Sequence, residues 1–126
     1  MVLEDKLPDA FKKTAFRPSN FDYAWRRKEL DELFEELMQW NFVIVGGEVW
    51  VVEGKQVTEL IPLKSGDIKV FLWKIKSKNN EEWFDFVERS IKESLQIISE
   101  WDLEKRVRID IASRIFYHFS LKSSFS

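Results

Sequence analysis

The sequence predicts an α+β domain in which an antiparallel sheet of five to six strands carries two main helices on one face. Two stretches place apolar residues at helical spacing, and the stretches between and after them are rich in β-branched and aromatic residues bounded by turn residues. The chain has 126 residues, of which 44% are hydrophobic, enough for one domain with its own core. We therefore expect residues 1–126 to form a single domain, with residues 1–20 as a loosely attached N-terminal arm.

The helices are predicted from capping and breaking residues as well as from spacing. Pro8 suits the first turn of a short helix that ends near Lys13, and Pro18 breaks the segment after it. A second helix is predicted over residues 22–40, and a third over residues 81–101, where an acidic first turn suits the positive end of the helix dipole. The apolar face of the second helix consists of Leu30, Leu33, Phe34, Leu37 and Met38.

Residues 41–75 predict four strands joined by short turns, as in a meander. Gly46 and Gly47 separate two β-branched runs, and this pattern is typical of a hairpin turn. Later turns are expected at residues 54–55 and 64–67. The run 68–75 is apolar on nearly both faces, so we expect it to be a central strand.

The C-terminal segment is predicted to be extended. Residues 107–121 alternate with a period of two, which indicates one long strand, or two strands broken near Ala112 and Ser113. This strand pairs with the meander at a position that the pattern leaves open. Its wetter face would carry Arg106, Arg108, Arg114 and His118.

Composition excludes several classes of function. Lys and Arg total 20 against 22 Asp and Glu, a formal net charge of −2, which argues against direct nucleic-acid binding. The sequence has no cysteine, and so no disulfide and no thiolate nucleophile. It shows neither a secretory signal pattern nor an apolar run of the roughly 20 residues that a bilayer span needs, so we expect a cytoplasmic protein without membrane contact.

The patterns of catalytic and metal sites are missing as well. Gly46 and Gly47 lie between two predicted strands and are not directly followed by Lys and Ser or Thr, so they do not form a phosphate-binding loop. His118 is the single histidine, and the acidic pairs fall on the predicted wet faces of helices, where pKa values stay ordinary. We therefore expect no enzyme, no cofactor and no metal. The alternative is an enzyme or ligand pocket built around His118 and Arg114.

Charge is distributed in blocks along the chain. Residues 29–53 contain seven acidic residues and no basic one. The blocks either complement one another inside the molecule or form an acidic surface that attracts a basic partner. For each of the six tryptophans a place in the core is the first expectation, but Trp50 and Trp83 are the better candidates for the surface, because Trp50 lies on the expected hairpin and Trp83 in the first turn of a helix. Exposed tryptophan is typical of binding hot spots.

The order of these features resembles that of a known family. An acidic helix runs into a hydrophobic strand that ends in Gly-Gly-Glu-Val-Trp, and an Arg-Ser pair lies inside a helix roughly 40 residues later. Over about residues 28–121 the chain resembles the immunity protein 40 family of bacterial polymorphic toxin systems. The matching positions are Gly46, Gly47, Glu48, Trp50, Trp73, Trp83, Arg89 and Ser90.

The resemblance implies a small α+β immunity protein that binds and neutralises a co-encoded toxin in the cytoplasm, and it implies no catalytic residues. The two glycines and Ser90 are assigned to the scaffold. Our hypothesis for the toxin-binding surface is Glu32, Glu35, Glu48, Trp50, Trp83, Asp85 and Glu88. The alternative function is a non-catalytic protein-interaction or self-associating adaptor domain, which would form a homodimer through an exposed sheet face.

Overall fold

The computed structural model describes residues 2–125. Its helices are α1 (Asp9–Thr14), α2 (Leu30–Gln39), α3 (Trp83–Trp101), α4 (Leu103–Arg106) and α5 (Ile109–Ala112), with 3-10 helices at Leu3–Lys6 and Arg27–Glu29. Its strands are β1 (Ala24–Trp25), β2 (Val43–Glu53), β3 (Gln56–Thr58), β4 (Ile61–Pro62), β5 (Ile68–Lys69), β6 (Leu72–Lys74) and β7 (Ile115–Lys122). The predicted α+β class is confirmed, and α1 is the expected short N-terminal helix.

Strand β2 is the centre of a five-stranded antiparallel sheet. One side of β2 pairs with β7, from Val43 opposite Lys122 to Val51 opposite Ile115. Its other side pairs with β6 and then with β3, while β1 pairs with the far side of β7. Strands β4 and β5 form a separate two-stranded sheet. The five-stranded antiparallel sheet is thus confirmed, but its strands do not follow one another as a meander.

Both main helices lie on one face of the sheet, which we call the helical face, as the sequence predicts. Val49 and Val51 of β2 and Tyr117 of β7 point to this face and join the main core. Burial of each leucine contributes about 2 kcal/mol, so the helical face supplies much of the stability. Helix α2 buries Leu30, Leu33 and Leu37 completely there.

The opposite side of the sheet, the second face, carries a smaller apolar cluster. Ala24, Trp50, Val52 and Phe116 form this cluster, and Phe16 packs against it. Neither α2 nor α3 lies on these residues, and within residues 2–125 the cluster is covered by Phe16 and by the Arg26 guanidinium, which lies 5.0 Å from the Phe116 ring centroid. The sheet therefore has a thickly covered side and a thinly covered side.

The predicted hairpin turn at Gly46 and Gly47 is wrong, because both glycines lie inside the continuous strand β2. A Cβ on Gly46 would stand 2.6 Å from the carbonyl oxygen of Trp73, and a Cβ on Gly47 would overlap the indole ring of Trp73. The glycines therefore let β6 and its tryptophan approach the sheet closely. Glycine is required at these two positions because a side chain would not fit there, and not because the backbone angle is unusual.

The run 68–75 is not the central strand that its composition predicts. It is split into β5 and β6, and β6 pairs with β2 alone among the described strands. Trp73 points into the core, whereas Leu72 points to the second face and is 54% exposed. The run is therefore an edge segment that buries Phe71, Trp73 and Ile75 and leaves Ile68, Val70 and Leu72 exposed.

The predicted second helix begins later than residue 22. Ala24 and Trp25 form β1 and pair with His118 and Tyr117 of β7. Trp25 is buried, and its indole N–H donates to the carbonyl oxygen of Phe11 at 2.8 Å. Strand pairing with β7 therefore outweighs helix formation at this position, and α2 starts at Leu30.

Of the two predictions for the C-terminal segment, the one with a break near Ala112 and Ser113 agrees better with the structure. The half before the break, however, is helical and not extended. Residues Ile109–Ala112 form α5, and β7 begins at Ile115. Ile111 is buried by the short helix, whereas Ile109 is 90% exposed. Alternation over these few residues did not distinguish a strand from one helical turn.

The N-terminal arm packs against the rest of the domain. Leu7 is 2% exposed and belongs to the main core. The hydroxyl of Tyr23 donates to Asp5 at 2.6 Å, which lowers the pKa of Asp5, while burial raises the pKa of Tyr23 to about 12. These contacts attach the arm more closely than its irregular sequence pattern suggests.

Candidate functional site

Helices α2 and α3 run antiparallel and leave a groove between them. At one end the Arg27 guanidinium donates to the Ser99 hydroxyl at 3.3 Å, and at the other end the Trp83 indole N–H donates to the carbonyl oxygen of Asn41 at 2.9 Å. Because these contacts fix both ends, the outer ridges of the two helices are held side by side. The groove has a volume of about 600 Å³.

The floor of the groove is apolar and its rim is acidic. Phe34 and Ile91 are buried at its base, while Met38 and Leu95 are half-buried and reach solvent. The rim on the α2 side consists of Asp31, Glu35 and Gln39. An apolar strip with carboxylates beside it suits a partner with both apolar and basic side chains.

The predicted acids of α2 lie at this rim or next to it. Glu32 and Glu35 are exposed and one helical turn apart, so their side chains are neighbours on the helix surface. Within residues 2–125 neither of them forms an ion pair, whereas Asp31 is paired with Arg27 at 3.7 Å. The negative charge of Glu32 and Glu35 is therefore not neutralised inside the molecule.

The predicted acids of α3 lie along the facing ridge. Glu88 is three residues before Ile91 and seven before Leu95, so helical spacing places it on the same side as the groove floor. Its carboxylate pairs with Lys92 at 3.3 Å, whereas Asp85 is exposed one turn earlier. The structure thus brings four of the predicted acids, Glu32, Glu35, Asp85 and Glu88, to one side of the molecule.

Glu48 and Trp50 lie on the second face, away from the helices. The prediction that Trp50 is a surface residue is wrong, since it is 6% exposed. Its indole N–H donates to Glu48 at 2.9 Å, and its ring stacks on His118 with a centroid distance of 4.6 Å. Trp50 is buried because the register sets it opposite Phe116 in the second apolar cluster.

Trp83 is half-buried at the start of α3. Besides its hydrogen bond to Asn41, its ring packs edge-on against Phe86 at 5.9 Å and against Phe125 at 4.9 Å. Most of its contacts therefore join the beginning of α3 to neighbouring segments. Only the exposed edge of the Trp83 ring is accessible to a partner.

Arg89 and Ser90 act inside the scaffold. The Arg89 guanidinium binds Glu81 at 2.7 Å and the carbonyl oxygen of Lys76 at 2.6 Å, and it lowers the pKa of Glu81 to about 2. The buried Ser90 hydroxyl accepts the backbone N–H of Ile44 at 3.0 Å. These bonds fix α3 to the loop before it and to β2.

Trp73 completes this set of scaffold contacts. Its ring covers Gly47, and its indole N–H donates to the buried Ser94 hydroxyl at 3.0 Å. The junction between α3 and the sheet is therefore formed by the two glycines together with Trp73, Arg89 and Ser90. This agrees with the assignment of the glycines and Ser90 to the scaffold.

His118 and Arg114 do not share a cleft. Nδ1 of His118 donates to the carbonyl oxygen of Tyr23 at 2.9 Å, and Nε2 lies 3.9 Å from Asp22. Arg114 instead pairs with Glu53 and lines a different depression. No cluster of three or more possible metal-binding side chains is formed by residues 2–125. None of the described helices has the length and apolar character required to span a bilayer.

The groove uses two residues that were not singled out as binding residues. Met38 and Leu95 belong to the apolar faces of their helices, but each lies at the edge of that face and is only half-buried. Their place at the border between apolar and polar residues is the sequence signal that identifies them. It becomes specific only when α2 and α3 are known to be neighbours.

Comparison with known proteins gives one family. The family model described as Immunity protein 40 matches residues 15–119. The matched segment includes both groove helices and nearly the whole five-stranded sheet, and it omits α1. No curated protein and no solved structure matches the chain.

Proposed function

Because the chain belongs to the Immunity protein 40 family, we propose that it binds a co-encoded bacterial toxin and neutralises it by covering the active surface of that toxin. Inhibition of this kind needs no catalytic residue, cofactor or metal in the inhibitor. The producing cell would hold the protein in its cytoplasm, as part of a polymorphic toxin system. The chain would then protect the cell from its own toxin.

The observation that carries this proposal is the uncompensated acidic surface on α2. Glu32 and Glu35 are exposed and have no cationic partner within the described chain. Many toxin domains act on nucleic acids and bind them in basic grooves. An acidic inhibitor is attracted to such a groove and excludes the substrate from it.

The proposed contact set is centred on the helices. Glu32, Glu35, Asp85 and Glu88 lie on one side of the molecule, with the exposed edge of Trp83 near the start of α3. Glu48 lies on the second face, and a partner seated on the helices would not reach it. We therefore propose the helical acids as the main contacts and assign Trp50 to the fold.

Co-expression tests this proposal. The toxin gene is expected immediately upstream of the gene for this chain, and its product alone should stop cell growth. We expect the tagged chain to restore growth and to co-purify with the toxin as a stoichiometric complex. A folded chain that neither restores growth nor co-purifies with that product would contradict the proposed function.

A second candidate function is a self-associating interaction domain. Leu72 is 54% exposed on the second face, beside Glu48, and Val57 is partly exposed near the end of the same sheet. Such a sheet face would form a homodimer without any toxin. Light scattering distinguishes the two functions, because an isolated immunity protein is expected as a monomer that gains mass only with the toxin.

A further inference from the structure

The groove between α2 and α3 has the dimensions of a helix-binding site. Helix α2 has 10 residues, a length of about 15 Å, which is enough to contact roughly three turns of another helix. Two rows of apolar side chains line the floor, Phe34 and Met38 on α2 and Ile91 and Leu95 on α3. Each row repeats after four residues, and a partner helix offers anchors at the matching spacing.

The charges around the groove select the kind of helix. Asp31 and Glu35 border the floor on the α2 side, and helical spacing places Glu88 on the α3 side. The nearby cations Arg27 and Lys92 are already paired with Asp31 and Glu88. Glu35 therefore remains free to bind a basic side chain, so the groove favours a helix with lysine or arginine beside its apolar face.

Other occupants fit the groove less well. A symmetric contact with a second copy of the chain would set the acidic rim of one groove against the same rim of the other. Nucleic acid would place its phosphates against these carboxylates. The described C-terminal end is engaged elsewhere, because Phe125 packs on Trp83 and Phe86.

We infer that this groove binds a basic amphipathic helix of the toxin, an inference that rests on the proposed function. Met38 and Leu95 would pack against the apolar side of that helix, and Glu35 would bind a basic residue next to it. The groove thereby supplies the desolvated centre of the interface, while Glu32 and Asp85 lie outside the groove, at the edge of the interface. Such a buried centre carries most of the binding free energy in protein interfaces.

The absence of cysteine makes direct mapping possible, since one introduced cysteine can be labelled alone. A benzophenone maleimide is attached to Gln39→Cys at the groove rim or, as the matched control, to Ser120→Cys, which is exposed on the second face. After irradiation with the toxin, we expect a cross-link from position 39 to a basic amphipathic helix and none from position 120. A cross-link from position 120 alone, or from position 39 to an acidic or non-helical segment, would overturn the inference.

A pair of substitutions tests how much the groove contributes to the free energy of toxin binding. We expect Met38→Lys to weaken toxin binding by about 30-fold or more, whereas Leu72→Lys on the second face changes it by less than about 3-fold. Circular dichroism and the thermal midpoint show whether each variant is folded. If Met38→Lys is not folded, the cross-linking experiment alone tests the inference. If Leu72→Lys abolishes binding and Met38→Lys does not, the groove is not the site, but the proposed function stands. If the native chain binds no toxin, both proposals fail.

Discussion

The junction between α3 and the sheet differs from the outer surface of α2 and α3 in how its polar groups are used. At the junction Ser90 and Ser94 are buried and hydrogen-bonded to Ile44 and Trp73, and Arg89 is held by Glu81. On the outer surface Glu32 and Glu35 face solvent and lack a cationic partner among residues 2–125. Ser90, Ser94 and Arg89 therefore build the frame, whereas the helical acids proposed to meet the toxin lie at other positions.

The largest effect is expected from a side chain added at the junction. Gly47→Ala would push a Cβ into the Trp73 ring and to 2.8 Å from the carbonyl oxygen of His118. Both neighbours are packed in the sheet, so we expect a loss of about 3 kcal/mol in the free energy of unfolding, measured by urea denaturation.

A glycine in open space is the control for this substitution. Gly54 has a φ of +59°, a Cβ added there would have no atom within 4 Å, and asparagine tolerates such a backbone. Gly54→Asn should therefore cost less than about 1 kcal/mol. Equal stability of the two variants would show that close packing at Gly47 is unimportant.

The second effect concerns the hydrogen bond that joins α3 to β2. Ser90→Ala removes the acceptor of the buried Ile44 N–H, and an unsatisfied buried donor costs about 2 kcal/mol. We expect this loss in urea denaturation, with an unchanged toxin association rate under conditions where the variant is folded. Gln96→Ala, at an exposed position of the same helix, should stay within about 0.5 kcal/mol of the native chain. A slower association of folded Ser90→Ala would place this junction in the interface.

Acid should remove the stabilisation that the Glu81–Arg89 ion pair contributes at the start of α3. The hydrogen bonds from Arg89 hold the pKa of Glu81 at about 2, below its ordinary value of 4.5. A carboxyl whose pKa is lower in the folded state stabilises the fold above its unfolded pKa, and this contribution is lost as the pH falls from about 4.5 to 2.

The measurement is the thermal midpoint as a function of pH. Glu81→Gln should be less stable than the native chain at neutral pH and should lose less stability on acidification. Glu82→Gln, at the exposed neighbouring residue, is the control and should follow the native curve. Identical pH curves for Glu81→Gln and the native chain would refute the assigned role of this ion pair.

Substitutions on the outer surface of α2 and α3 are expected to have the smallest effect on folding and a separate effect on toxin binding. In the double variant Glu32→Lys with Glu35→Lys, each substitution should change the free energy of unfolding by less than about 0.5 kcal/mol. In stopped-flow mixing its association with the toxin should be about 10-fold slower at low salt, and it should depend less on ionic strength. Asp85→Lys with Glu88→Lys should act in the same direction. An unchanged rate in both double variants would exclude the chosen surface.

The sequence predicted those features that depend on local periodicity. The leucines of α2 and the stripe of α3 specify two amphipathic helices, and Glu32, Glu35 and Asp85 are exposed as expected. The expectation of a wet face and an ordinary pKa is wrong for Glu81, because Arg89 binds it and lowers its pKa to about 2. Gly46 and Gly47 were misassigned because a turn and a close approach both favour glycine, and the deciding neighbour, Trp73, is distant in the chain. Likewise, β1 pairs with β7, which is distant in the chain.

The candidate site was predictable in part for the same reason. The exposure of Glu32 and Glu35 follows from their positions on one amphipathic helix. The groove itself depends on the relative placement of α2 and α3, which contacts at both helix ends determine. The burial of Trp50 depends on strand register and on the stacking with His118.

We propose that this chain works by binding a toxin and blocking it. The most direct test is to titrate a fixed amount of the toxin encoded upstream with the purified chain and to follow the toxic activity. We predict a linear loss of activity that is complete near one chain per toxin molecule, and a weaker loss with the Glu32→Lys and Glu35→Lys double variant. Full toxin activity in the presence of excess folded chain would exclude the proposed function.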